Sequence, residues 1–188
     1  MNKYKIFGAN ADSTTASLVG LAQQKRFAFK EKVMFYADEK RDRLAFTFRA
    51  EKVLDVHGRY FIEDTNGNMI GMFKKEFVSS LVNSTWKLMD KQGNELFIVR
   101  ESNQTIALLR RFIGEIPLIG MIGEMVMVFF KYHFEFVNVQ TGQVVGTYKK
   151  TTLFRDHYLL STTNDAWQAL DWRVYAAMAV ALDALQSR

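Results

Sequence analysis

Residues 86–100 read WKLMDKQGNELFIVR, and the pattern in this stretch occurs three times in the chain. Alternating apolar side chains lead into an Asp or Asn, a polar turn follows, and a Gly closes the turn. The other copies are residues 60–75 (YFIEDTNGNMIGMFKK) and 134–150 (FEFVNVQTGQVVGTYKK), the last with one extra residue before its Gly. Gly supplies the positive φ that a tight hairpin demands, so three phased copies predict successive antiparallel hairpins.

Weaker patterns predict more strands on both sides of these copies. Residues 33–36 and 44–49 form a degenerate copy around the charged loop 38–43, which has no Gly and is therefore expected to be longer and more mobile. Residues 26–30 and 157–162 are also predicted strands. The total is about ten strands, with room for two more. So many antiparallel strands in a small domain must close or stack to hide their edges.

Residues 171–185 are predicted to form a helix, because Ala, Leu and Met dominate and are strong helix formers. Asp165 or Asp171 is placed to cap its start. No charged side chain occurs from Val174 to Leu182, and a helix that is apolar on all sides is buried on all sides. The pattern favours a barrel wrapped around a central helix, and a helix packed on an open sheet is the alternative.

The composition limits the classes of protein. The chain has 188 residues, no Cys, one Pro, 48% hydrophobic residues and a formal net charge of +5. This length predicts one domain. The absence of Cys excludes a disulfide scaffold, a Cys-ligated metal site and a Cys nucleophile. Residues 1–24 are mostly polar and small, so we expect a flexible leader there and a single barrel domain over residues 25–188.

The hairpin array that ends in the helix DWRVYAAMAVALD (residues 171–183) resembles the LURP-one-related proteins. That family belongs to the Tubby C-terminal-like superfamily, together with the phospholipid scramblases. The resemblance covers about residues 26–185 and implies a mostly β fold, a closed antiparallel barrel of about twelve strands threaded by the C-terminal helix. The chain departs from its relatives at residues 105–127, which are longer and more apolar than a hairpin link. It also lacks a Cys cluster for palmitoylation, a Pro-rich leader and an EF-hand-like run beside the last helix.

Motifs for catalysis are not found. His57, His133 and His157 are far apart and lack the spacing of metal ligands, and there is no Gly-x-Ser-x-Gly elbow. The glycines at 114, 120 and 123 do not form a nucleotide-binding fingerprint. Asp64, Asp90 and Asp183 are better explained as turn formers and a helix-end residue than as catalytic groups. We therefore predict no catalytic residue, no metal, no cofactor and no enzymatic activity.

Two features are candidates for binding. The first is a set of basic pairs near strand ends, Lys74-Lys75, Arg110-Arg111 and Lys149-Lys150. In the Tubby branch, basic residues on the barrel bind phosphoinositide headgroups, and such residues attract anionic lipids in general. The second is the apolar segment 116–130, a candidate membrane-touching or protein-binding surface. At 15 residues it is shorter than the roughly 20 that span a bilayer.

The resulting prediction is a non-enzymatic module that binds an anionic phospholipid or a membrane surface, in the cytoplasm or peripheral to a membrane. The alternative is a structural or protein-interaction barrel without a small-molecule ligand, with segment 116–130 as the partner surface. A scramblase-like lipid transfer activity is a weaker alternative, because no spanning segment and no calcium motif are visible. Nucleic-acid binding is not expected, because the positive charge is spread along the sequence.

Overall fold

A computed structural model describes residues 2–24, 32–51, 58–76, 85–102, 133–152 and 156–186. These residues form eleven β-strands and two helices. The strands are β1 Lys3–Ala9, β2 Thr15–Gln24, β3 Lys32–Tyr36, β4 Leu44–Ala50, β5 Arg59–Asp64, β6 Met69–Glu76, β7 Thr85–Asp90, β8 Glu95–Glu101, β9 Phe134–Asn138, β10 Val144–Lys150 and β11 Tyr158–Thr162. The helices are α1 Asn164–Ala169 and α2 Trp172–Gln186.

All eleven strands belong to one sheet, and each strand pairs antiparallel with the next one along the chain. The fold is therefore mostly β, as predicted. The order places β1 and β11 at the two edges, and the described residues contain no pairing between them. Eleven strands are close to the predicted twelve, while closure into a barrel stays a prediction. The strand predicted at residues 26–30 lies outside the described residues.

The three Gly-containing turns have the predicted conformation. Gly67, Gly93 and Gly142 have φ of +82°, +89° and +68°. In the first turn, the Asp64 carboxylate accepts hydrogen bonds from the backbone N–H groups of residues 66 and 68 at 2.9 and 2.8 Å. Asp90 makes the same contacts in the second turn. These carboxylates are turn formers, as their sequence position predicts.

The charged loop between β3 and β4 reverses the chain direction without a Gly. Arg41 adopts a φ of +66°, which is uncommon outside Gly, Asn and Asp. The Asp38 carboxylate holds the loop by accepting from the backbone N–H groups of Asp42 and Arg43, both at 3.2 Å. The loop is longer than the Gly turns, as predicted.

Residues 2–24 are not the loose leader that the composition of residues 1–24 predicts. They form the hairpin β1–β2, closed by a hydrogen bond from Gln24 N to Asn2 O at 3.2 Å. Tyr4 and Ile6 pack on the core while Lys3, Lys5 and Phe7 are exposed. This is the period of two that a half-buried strand shows. The short side chains of residues 8–17 obscure it in the sequence.

Helix α2 lies against the apolar face of the sheet. Asp171 caps its start, since its carboxylate accepts from Arg173 N at 2.9 Å. Side chains from distant strands contact it: the ring centroid of Phe46 of β4 lies 5.8 Å from that of Trp172. The rings of Phe97 of β8 and Phe136 of β9 each lie 5.9 Å from Tyr175. Between Val174 and Ala184 every residue except Ala179 and Asp183 is buried. The predicted helix and its burial are confirmed, with those two exceptions.

Candidate functional site

The connections between strands differ at the two ends of the sheet. Because neighbouring strands alternate in direction, the turns that follow odd-numbered strands all lie at one end, which we call the turn rim. The connections that follow even-numbered strands lie at the other end. We call this second end the basic rim, and define it as the three residues of each strand nearest to it.

Charge is distributed unequally between the rims. In the described strands, the basic rim carries eleven Lys or Arg side chains and three Glu side chains. The bases are Lys3, Lys5, Lys32, Arg49, Arg59, Lys74, Lys75, Lys87, Arg100, Lys149 and Lys150. The acids are Glu76, Glu101 and Glu135. The corresponding strand residues of the turn rim include no base and four acids, Glu63, Asp64, Asp90 and Glu95.

The predicted lysines of β6 lie on the basic rim but face opposite sides of the sheet. Lys75 shares the inward side with the buried Phe73, and its ammonium lies 5.3 Å from the ring centroid of Trp86. Lys74 points to the outer face and is partly exposed. Lys74 is therefore accessible to a ligand on the outer surface, and Lys75 is engaged with an aromatic ring.

The lysines of β10 divide in the same way. Lys149 is exposed on the outer face. Lys150 is 7% exposed, and its ammonium lies 2.9 Å from the Asp156 carboxylate and 5.9 Å from the ring centroid of Tyr158. This geometry fits a structural role for Lys150. The third predicted pair, Arg110 and Arg111, lies outside the described residues.

Sequence reasoning missed two bases beside Lys74. In the strand register, Lys74 stands opposite Arg59 of β5 on one side and Lys87 of β7 on the other. Arg59 has Glu51 at 3.6 Å, and Lys87 has Glu76 at 3.0 Å and Glu95 at 2.8 Å. Hydrogen bonds from Lys87 to these last two glutamates raise the pKa of the lysine above its usual value. Among the described residues no carboxylate lies within ion-pair distance of Lys74, so this central cation is available to an external anion.

The β6 and β10 lysines do not form one pocket. Four inter-strand steps separate the two strands, which corresponds to about 19 Å along the sheet. Lys74 and Lys149 are therefore two contact points on one rim. Such spacing suits an extended anionic surface better than a single small anion.

The long connection between β8 and β9 begins and ends on the basic rim. Ser102 N donates to His133 O at 2.9 Å, and the Ser102 hydroxyl donates to Glu135 at 3.0 Å. These contacts hold the two ends of the connection together. The apolar segment 116–130 belongs to this connection and lies outside the described residues. No helix in the described part of the chain is long and apolar enough to cross a membrane.

The described histidines have separate local partners. His157 Nδ1 lies 2.7 Å from the Thr151 hydroxyl, and His133 Nε2 lies 3.4 Å from Lys150 O. Burial lowers the pKa of His133. In the described ranges no three His, Asp or Glu side chains are grouped to hold a metal ion. His57 lies outside these ranges.

A family model described as LURP-one-related matches residues 20–183, which is most of the chain. No curated protein and no solved structure matches significantly.

Proposed function

The chain belongs to the LURP-one-related family, and from that premise we propose that it is a non-enzymatic module that binds anionic phospholipid headgroups through its basic rim. The proposed contacts are outward-facing lysines, with Lys74 and Lys149 as the principal ones. The Lys75 and Lys150 ammonium groups lie on the inner side of the sheet, where they contact Trp86 and Asp156 and stabilise the fold.

The observation that carries this proposal is the charge difference between the two rims. The basic rim presents many cations on strand ends that the sheet holds in fixed register. The strand ends of the turn rim carry acids and no base, and the bases at that end lie in the turns. An anionic membrane attracts each Lys or Arg near its surface with about 1 kcal/mol. A domain with this distribution is expected to approach such a membrane with one end only.

Family membership is consistent with this proposal through the superfamily that the sequence resembles. In the Tubby branch, basic residues of the fold bind phosphoinositides. In this chain the strand register places two further bases, Arg59 and Lys87, directly beside Lys74. Glutamates compensate the charges of Arg59 and Lys87, so Lys74 is the member of this row that an external anion would contact.

Co-sedimentation with vesicles tests the proposal. We expect the protein to bind phosphatidylcholine vesicles that contain phosphatidylserine or a phosphoinositide, and not vesicles of phosphatidylcholine alone. Binding should weaken as salt is raised, because exposed charges are screened. The double variant Lys74→Gln/Lys149→Gln should lose about 2 kcal/mol of binding free energy, or about thirtyfold in affinity.

The matched control removes the same charge from the turn rim. Lys40 and Lys91 are exposed in the turns after β3 and β7. The Lys40→Gln/Lys91→Gln variant has the same net charge as the test variant and should bind like the unmodified protein. Equal binding to charged and neutral vesicles, or equal losses in both double variants, would contradict the proposal.

A further inference from the structure

A cleft runs between the two edge strands of the sheet. Its volume is about 1150 Å³, and its walls are the length of β1 on one side and of β11 on the other. Helix α2 forms its floor, with Trp167 and Trp172 near one end. Both tryptophans are exposed, at 49% and 37%. The cleft therefore has an apolar floor and two walls made of strand edges.

Side chains that face inward from the edge strands are less buried than those of the inner strands. Tyr4 and Ile6 of β1, and Tyr158 and Leu160 of β11, pack on the core but stay partly exposed. Many inward side chains of the strands between them are almost completely buried, for example Phe35 at 1% and Trp86 at 0%, although Tyr60 and Lys75 are partly exposed. The core is thus less covered along the line between β1 and β11.

The helix has its exposed positions on the same line. Ala176, Ala179, Val180 and Asp183 line the cleft, and their spacing places them on one side of α2. Ala179 and Asp183 are the two residues between Val174 and Ala184 that are not fully buried. The cleft is therefore a position where both the sheet and the helix lack a neighbour within the described residues.

Strand direction defines what fits between the edges. All ten pairings in the sheet are antiparallel, so β1 and β11, ten steps apart, run in the same direction. Strands that run in the same direction cannot form the antiparallel pairing that joins all the other neighbours in this sheet. One additional strand between them would be antiparallel to both neighbours. The outer edges of β1 and β11 have no strand partner among the described residues, and edges of this kind pair with added strands.

The charged residues that line the cleft are Lys3 and Lys5, on the outward side of β1, and the carboxylates Asp156 and Asp183. Lys5 pairs with Glu39 at 3.0 Å. Asp183 accepts hydrogen bonds from the hydroxyl groups of Tyr158, at 2.9 Å, and of Tyr4, and burial together with this contact to Asp183 raises the pKa of Tyr4. Both donors are neutral, so they leave the negative charge of Asp183 uncompensated. No Lys or Arg lies within ion-pair distance of Asp183 in the described ranges, whereas the nearby Asp156 pairs with Lys150. Because a partly buried carboxylate favours a cation beside it, Asp183 suits a basic side chain.

We propose that the cleft binds an extended peptide segment of a partner protein, which adds a strand antiparallel to both β1 and β11. An acyl chain would cover the apolar floor but would leave the backbone N–H and C=O groups of both edges without partners. A peptide strand covers the apolar floor with its side chains and also hydrogen-bonds to the backbone of both edges. The inference is independent of lipid binding by the basic rim.

The geometry also orients the peptide. Strand β1 starts at the basic rim, so the added strand starts at the turn rim and ends at the basic rim. Asp183 lies at the basic-rim end, since it contacts Tyr158, the first residue of β11. About 16 Å of helix separates Trp172 from Asp183, which is about five residues of strand and leaves room for three side chains at alternate positions. Two inward apolar residues followed by an inward Lys or Arg, at alternate positions, match this floor.

The test uses the absence of Cys in the chain. Ala179→Cys places one thiol in the cleft, Ala177→Cys places one at a buried position of the same helix, and Asn66→Cys places one in an exposed turn. The probe is a pool of capped seven-residue peptides with Thr at odd positions, Val, Ile, Leu or Phe at positions two and four, and Lys or Arg at position six. The measured quantity is the rate of maleimide labelling.

The expected result is that Ala179→Cys labels in the free protein and that the peptide pool slows its labelling at least tenfold. Labelling of Asn66→Cys should not change, and Ala177→Cys should label slowly throughout. Adding Asp183→Asn, which keeps an oxygen acceptor for Tyr158, should remove most of the protection. A pool with Glu at position six, or with the order of the inward residues reversed, should protect weakly.

Several outcomes would overturn the proposal. Slow labelling of free Ala179→Cys would mean that the chain itself fills the cleft. Protection by oleate but not by peptides would assign the cleft to an acyl chain, and protection that grows with protein concentration would assign it to a second copy. No protection by any peptide would also refute it. As a second readout, Ala179→Leu without any Cys should weaken binding of the fluorescently labelled pool, and thermal melts confirm that each variant is folded.

Discussion

At the scale of single residues, two strand glycines of this protein are expected to respond differently to the same substitution. A Cβ added at Gly71 would lie 2.7 Å from Val174 Cγ2 and 2.9 Å from the backbone oxygen of Met89. A Cβ at Gly8 would meet its nearest atom at 3.6 Å, an ordinary contact. Gly71 is therefore a position where the sheet and helix α2 approach each other closely.

We expect Gly71→Ala to lower the free energy of unfolding by about 1–3 kcal/mol, because a backbone oxygen cannot move aside without distorting the sheet. The control Gly8→Ala should be neutral or stabilising by up to about 1 kcal/mol, because it reduces the entropy of the unfolded chain. Urea unfolding measures both. A loss at Gly8 as large as that at Gly71 would show that the close packing on Val174 is not the cause.

The residue that starts helix α2 makes a pH-dependent contribution. Hydrogen bonds from the Arg173 side chain, at 3.0 and 2.7 Å, hold the pKa of Asp171 below its usual value. A carboxylate whose pKa is lower in the folded state stabilises the fold above its unfolded pKa of about 3.9. That contribution is lost as the pH falls through the folded pKa.

Two variants separate the cap from the charge. Asp171→Ala should cost about 1 kcal/mol at pH 7, because the first turn of α2 loses its acceptor. Asp171→Asn keeps an acceptor, so its deficit against the unmodified protein should be present at pH 7 and shrink as the pH falls below about 4. The urea midpoint measured at both values checks this. A deficit of Asp171→Asn that is independent of pH would contradict the assignment.

At the scale of elements, what the sequence predicts depends on how local the signal is. The Gly-containing hairpins and helix α2 are predictable because turn, alternation and helix propensity are all local properties. Hairpin β1–β2 escapes prediction because its inward side includes Gly8 and Ala16, which give the alternation little contrast. The row of Arg59, Lys74 and Lys87 escapes it as well, although the turn at Gly67 already sets Arg59 opposite Lys74. The cleft depends on which two strands remain at the edges, and no local pattern encodes that.

Helix α2 provides the test at this scale, because its two sides face different surroundings. Ala177 is completely buried, whereas Ala179 faces the cleft. Ala177→Leu should destabilise the protein by about 1–3 kcal/mol through overpacking. Ala179→Leu adds the same atoms where space is open, so its cost should be well below that of Ala177→Leu. Thermal or urea unfolding compares the two, and equal losses would mean that the cleft is filled.

At the scale of the whole molecule, alternation of strand direction converts a scattered sequence feature into a charge difference between two ends. The positive charge looks evenly spread along the sequence, and that impression argues against a basic surface. Bases near the ends of even strands and the starts of odd strands nevertheless meet at one rim, because those positions are adjacent in an antiparallel sheet. Strand parity, counted along the predicted hairpins, is the sequence signal that locates the basic rim.

A charge difference of this kind predicts orientation on a membrane as well as binding. An environment-sensitive fluorophore attached at Lys32→Cys reports from the basic rim, and one attached at Asn94→Cys reports from the turn rim. On vesicles with phosphatidylserine, the first should shift to the blue and become accessible to a quencher carried by the lipid, because headgroups surround it. The emission spectrum of the second should be the same with vesicles as in water alone. Each attachment site adds one label to a chain without Cys, so the label is unambiguous in both proteins. Equal shifts at both rims would show that the protein adsorbs without orientation, and the basic rim would then have no special part in binding.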